Sequence, residues 1–190
     1  MQRKRVEFWQ LMSGILAKDL IFIDESGVNL ALTRLFARSP KGKRARGTQP
    51  QKRGKNVSII GAIGLSGVIT QVSLLGATDS LTFEAFIAQR LVPKLWSGAC
   101  VLMDNYSIHK SKEIEQWIAQ AGAKLIYLPP YSPDFSPIEN CWSKIKSLLR
   151  SSEARNYPDL AKAIEEAFDR VSLDDIRGWF THCCYCTSVD

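Results

Sequence analysis

The chain runs to 190 residues, 45% hydrophobic and 23% charged, the balance of a globular domain with a core and not of a disordered tail. No apolar run approaches the roughly 20 residues of a membrane span, and the basic start MQRKRVEFWQLM lacks the apolar stretch of a signal peptide. Five cysteines, an odd number set mostly within regular elements, fit reduced thiols in a cytoplasmic protein better than a disulfide scaffold, and the net charge of +6 favours an anionic partner.

In chain order, residues 1–19 read as a short helical lead-in. LIFIDES, from Leu20 to Ser26, is a continuous apolar run closing in acid, the pattern of a strand covered on both faces. From Arg38 to Lys55 come eight basic residues and no acid: Arg38, Lys41, Lys43, Arg44, Arg46, Lys52, Arg53 and Lys55. Setting these aside leaves 17 basic residues against 19 acidic ones, so the positive excess lives in this one segment. Its Pro40, Gly42, Gly47, Pro50 and Gly54 predict a loop at 38–55, and the unbroken charge predicts phosphate contacts with nucleic acid, against the plainer reading of a solvated surface loop.

NVSIIGAIG and VITQVSLLG flank Leu65-Ser66-Gly67 and predict a hairpin. From Ser80 to Trp96 apolar residues recur at helical spacing, with Pro93 interrupting near the end. ACVLMDN is a second buried strand. Ser111 then caps a helix striped by Ile114, Trp117, Ile118 and Ala121, which Gly122 ends. KLIYLP is a third buried strand, and PPYSPDFSPIENCW leads into a helix, with two more helices after it. A hairpin followed by alternating helices and strands predicts one α/β domain over 20–190, a mixed sheet (hairpin plus parallel strands) flanked by helices.

Asp24 and Asp104 each close a buried apolar run. Acids are rare there, because burying an unpaired charge is unfavourable. Ligands of sheets with parallel strands gather at the strands' carboxyl ends, so the two aspartates can converge on a cation. Either could also be a turn former. Glu25 competes with Asp24, since strand alternation sends neighbours to opposite faces and only one can join the site. Glu139 has two readings. Ser136 at N-cap, Pro137 at N1 and Glu139 at N3 make a capping box, in which the glutamate only satisfies a backbone donor. Yet Ile138, Cys141, Trp142, Ile145, Leu148 and Leu149 form one apolar stripe, with Glu139 and Lys146 along its edge. There a carboxylate can reach a metal while Lys146 holds a phosphate, and the prolines fix the helix's first turn.

FIDESG, VLMDNYSIHK and LPPYSPDFSPIENCWSKIK resemble the three blocks of DDE-type transposases in the bacterial insertion-sequence branch of the mariner-like superfamily, with 34 residues between Asp104 and Glu139 as in that branch. The resemblance runs from about Leu20 to Arg150. It implies a ribonuclease-H-like fold with Asp24, Asp104 and Glu139 as catalytic, metal-binding triad, choosing Asp24 over Glu25. It further implies two Mg²⁺ ions, with Mn²⁺ able to substitute, one activating water and the other steadying the leaving oxygen before the freed 3′-OH attacks a TA-containing target. The implied partners are double-stranded DNA at transposon ends and a second copy of the chain in a homodimer. Asn105 and His109 match an Asp-Asn…His pattern of relatives, with His109 orienting the site or contacting DNA. The basic loop matches a region that relatives use for subunit and DNA contacts.

Two departures stand out. Ser136 replaces a common Asn, with little expected effect because both cap helices. Only 23 residues precede Asp24, so no N-terminal helix-turn-helix domain is expected, and end recognition would come from a separately encoded or frameshift-fused region. Alternatives are a truncated, non-catalytic regulator that binds DNA or dimerises, and another nuclease of this fold. HCCYC, His182–Cys186, reads as reduced thiols, because zinc sites usually pair two spaced couples.

Overall fold

The computed structural model describes residues 2–48, 50–106 and 109–186. Helix α1 (Gln2–Met12) precedes strand β1 (Leu20–Val28), and the hairpin is β2 (Val57–Gly64) and β3 (Gly67–Leu75). Then come α2 (Ser80–Phe86), β4 (Cys100–Met103), α3 (Lys112–Gln120), β5 (Lys124–Tyr127), α4 (Pro137–Ser152), α5 (Tyr157–Asp169) and α6 (Leu173–His182). The strands form one sheet in the order β3-β2-β1-β4-β5. β1, β2 and β3 pair antiparallel, whereas β1, β4 and β5 run parallel, which is the expected mixed sheet.

β4 is apolar along its whole length and β1 from Leu20 to Ile23, because both faces are covered there. Leu20 and Phe22 of β1 join Cys100 and Leu102 of β4 in a core closed by α1, α4, α5 and α6. Ile21 and Ile23 alternate to the opposite face and join Val101 and Met103 beneath α2 and α3. Among the described residues, no helix is long and apolar enough to cross a membrane.

Two local expectations change. The helix expected from Ser80 to Trp96 is α-helical only to Phe86, then widens into a π turn at Ile87–Leu91 and tightens into a 3-10 turn at Val92–Lys94. Pro93 supplies the cause, since it lacks an N–H and its ring crowds the carbonyl four residues back. Ser111 does sit at the N-cap of α3, but its hydroxyl donates to Glu113 (2.7 Å) instead of accepting a bond from the helix backbone.

Helix α1 is integral to the core. Phe8 and Met12 are buried, and Phe8 stacks on Phe135 with ring centroids 5.4 Å apart. Arg5 donates to both carboxylate oxygens of Asp134 (3.0 and 2.5 Å) and to the Ser132 hydroxyl (3.0 Å), while its guanidinium lies 3.9 Å from the Phe135 ring centroid. The bidentate pair and the ring contact clamp the proline-rich loop to the start of the chain.

Gly61 pairs with Asp24 across the β1–β2 ladder, and a Cβ on it would stand 2.8 Å from Cη2 of Trp142. The missing side chain lets the indole lie directly on the sheet. Gly61→Ala should therefore cost about 1–3 kcal/mol by overpacking, read from urea denaturation midpoints. An unchanged midpoint would show that the indole has room to move.

Candidate active site

The site begins where two strands part. β1 pairs with β4 only from Leu20 to Phe22, after which β4 ends at Met103 while β1 continues to Val28 along β2. Asp24, expected at the end of its strand, therefore lies within it, with its β4 side left open. The β1–β4 register pairs Phe22 with Leu102, so Asp24 and Asp104 each follow two residues beyond the last paired position. Alternation turns Asp24 toward α4, on the face of Phe22, where it meets Trp142. Glu139 stands in the first turn of α4. Asp24, Asp104 and Glu139 line one cavity of about 510 Å³, together with Asn105, Ser136 and Tyr131.

The capping-box reading of Glu139 does not hold. Ser136 occupies the N-cap with extended backbone, φ −114° and ψ 101°, yet its side chain caps nothing. Only the backbone bond from Glu139 N–H to the Ser136 carbonyl (3.1 Å) closes the turn, which leaves the carboxylate facing the cavity. Pro137 is buried at N1 and fixes that turn. Lys146, two turns further along α4, is partly exposed and does not line the cavity. Among the described residues, no three His, Cys, Asp or Glu side chains stand close enough to enclose a metal ion. The three carboxylates share walls and leave space between them. The cysteines of the HCCYC stretch are free.

Burial raises the Asp24 carboxyl to about 7, and the nearby charges of Glu139 and Asp104 add to the rise. The Glu25 backbone N–H and the Trp142 indole oppose it, the indole Nε1–H donating to Asp24 Oδ2 at 2.9 Å. Asp104 behaves differently. Burial would raise it too, but the His109 ring and the Tyr106 N–H (3.0 Å to Oδ1) outweigh that and hold it below the usual range. Burial would lower the His109 imidazole, but Asp104 and Glu25 overcome this and push it up to about 9.

His109 is 1% exposed, so it offers DNA no surface and the contact expected of it is withdrawn. Its Nε2 lies 2.7 Å from Glu25 Oε2. Its Nδ1 lies 2.5 Å from Asp104 Oδ1, close enough for an ion pair but not aligned as a hydrogen bond. Ser107 and Ile108 of the same block fall outside the described residues. Sequence reasoning missed three participants. Trp142 was read only as core. Glu25 was weighed only as a rival to Asp24. Tyr131 is 85% exposed at the cavity rim with φ +57°, a conformation that bulky residues rarely adopt, and its place amid four prolines was the available signal.

The basic segment is exposed from Arg38 to Thr48 and again from Gln51 to Asn56. Its far end is pinned by Leu30 N–H to the Arg53 carbonyl (3.2 Å) and Lys55 N–H to the Tyr157 hydroxyl (2.6 Å). Among the described residues, none of its eight cationic side chains joins an ion pair.

The family model described as DDE superfamily endonuclease matches residues 19–161, three quarters of the chain and all three carboxylates. The chain belongs to the DDE superfamily. This DDE protein is 22% identical over 130 residues to the Tcb1 transposase of Caenorhabditis briggsae, covering 65% of the chain and 47% of that relative. It is 30% identical over 74 residues to a 39 kDa protein of insertion element IS630 from Shigella sonnei, covering 38% of the chain and 22% of that protein. The chain thus spans about half the length of these relatives, or less. Its fold matches the Mos1 transposase in a paired-end complex with the left transposon end: TM-score 0.74 at 16% identity, over 96% of this chain and 57% of that one. The Mos1 catalytic domain with raltegravir and Mn matches with a TM-score of 0.69 at 15% identity, over 97% of this chain and 87% of that one. The ribonuclease-H-like fold and the resemblance to transposases both hold.

The raised Asp24 carboxyl dictates a pH dependence. From its ordinary value of 3.8 to about 7, the folded DDE protein keeps a proton that the unfolded chain has released. Its contribution to stability is full below that window and is lost as pH rises through it. In EDTA, Asp24→Asn should gain stability over the wild type progressively across this range. Parallel stability curves would contradict the burial argument.

Proposed function

We propose that this chain is the catalytic domain of a transposase that cuts and joins DNA strands at transposon ends. The observation that carries the reading is the convergence of Asp24, Asp104 and Glu139 on one cavity, with family membership supplying the chemistry. The donor set fits Mg²⁺ or Mn²⁺: all three groups are carboxylates, which hard divalent cations prefer, and Asp24 is held where its own negative charge is disfavoured. Asp24, Asp104 and Glu139 would together hold the divalent ions. Divalent cations bound there supply Lewis-acid stabilisation of the phosphoryl group and an activated water.

The chain's own residues do the positioning. The Trp142 indole fixes one oxygen of Asp24 at the cavity wall. The proline frame and the Arg5 clamp hold the wall that carries Ser132 and Ser136, so the carboxylates meet a phosphate with little rearrangement. On this reading the partner is double-stranded DNA with a TA-containing target, met by a homodimer in the bacterial cytoplasm at the nucleoid. A helix-turn-helix region joined to this domain would supply end recognition. Lys41, Lys43, Arg44, Arg46, Lys52, Arg53 and Lys55 track the phosphate backbone, with Lys146 a further candidate contact.

Two measurements test this. Asp104→Asn should abolish Mn²⁺-dependent nicking of end-containing duplexes while DNA binding persists. Nicking that survives would remove the carboxylates from the chemistry, and wild-type binding without any cutting would instead indicate a regulator of transposition. Neutralising Lys43, Arg44 and Arg46 together should lower the slope of log affinity against log salt by about 2–3. An unaltered slope would dismiss the loop as a contact.

A further inference from the structure

Asp104 stands just beyond the end of β4, and 54% of its side chain is exposed. A carboxylate so placed should be free to rotate, yet it is held from the far side of the sheet. Glu25 alternates to the face opposite Asp24 and takes no part in lining the cavity. Its Oε2 meets Nε2 of His109 at 2.7 Å, and the other ring nitrogen faces Asp104 Oδ1 at 2.5 Å. The imidazole is wedged in place: it is 1% exposed, its ring centroid lies 4.2 Å from that of Phe83, and the Tyr127 hydroxyl donates to the His109 carbonyl at 3.2 Å. The β-strand, the loop after β4 and α2 thus meet at one buried ring.

We infer that Glu25 and His109 are positioning residues: Glu25 orients the imidazole, and the imidazole holds Asp104 in the orientation that cation binding needs. Neither touches the reacting atoms. The inference rests on the carboxylate site proposed above. It gives Glu25 a role through His109, where its rivalry with Asp24 had suggested a ligand. The logic is that of a carboxylate that orients an imidazole, which in turn orients a ligand, and loss of such partners typically weakens metal affinity 10–100-fold.

The test is a double-mutant cycle on the full chain. It reads Mn²⁺ affinity without DNA by electron paramagnetic resonance, and cleavage kinetics with DNA. Glu25→Ala and His109→Ala should each weaken Mn²⁺ binding about 10–100-fold and lower kcat, with DNA affinity unchanged. The double variant should be no weaker than His109→Ala alone, because Glu25 acts only through the ring. Glu25→Gln, which keeps an acceptor for Nε2–H, should stay within about threefold of the wild type. Should Glu25→Ala fail to fold, Glu25→Met, of similar volume without an acceptor, takes its place. Losses that multiply in the double variant, or wild-type affinity in either single one, overturn the inference. Asp104→Asn serves as the control: if it leaves Mn²⁺ binding intact, the carboxylate site itself fails. If it abolishes binding while Glu25→Ala does not, only the brace fails.

Discussion

Asp24 sits in the middle of a buried strand with one flank open to a cavity, and it shares that cavity with two other carboxylates. Burial and neighbouring negative charge both work against its ionised form. Much of the surrounding architecture follows from keeping a carboxylate there. The early end of β4 opens the strand's flank, a glycine on β2 brings an indole N–H within reach, and the first turn of α4 delivers the third acid. Left as a core position, residue 24 would be an isoleucine or valine like its neighbours. A group this disfavoured in the resting protein has most to gain from a cation, a logic that active sites share.

The two faces of the sheet divide the labour. The α4 face carries the carboxylates and the indole. The α2–α3 face carries Glu25 and the buried histidine, which reaches back around the end of β4 to Asp104. Adjacent acids in one strand therefore reach the same notch by different routes, one directly and one through an imidazole. The sheet acts as a partition, and the loop after β4 is where the two sides communicate.

Much of this was legible in the sequence. LIFIDES and CVLMD announced the central strands, because unbroken apolar runs mean cover on both faces, and strand alternation alone required Asp24 and Glu25 to part. The stripe through Ile138, Trp142 and Ile145 oriented α4. What escaped was non-local. No periodicity records that β1 outruns β4, or that a loop histidine turns inward to meet an acid 84 positions earlier. Ser136 and Glu139 had the letters of a capping box, but a side chain facing a cavity cannot also turn back to its own backbone. The π turn before Pro93 had a visible cause but no visible form.

The clamp of α1 on the proline-rich loop has a consequence for biosynthesis. Arg5 is secured by Asp134, 129 residues later. At roughly 5–20 residues per second on the ribosome, that partner is made on the order of ten seconds after Arg5. Until then Phe8 has no Phe135 ring to stack on, and that side of α1 stays uncovered. The wall of the notch cannot be locked until Asp134 has been translated, so a nascent fragment ending before it is barred from holding the three acids in their final arrangement.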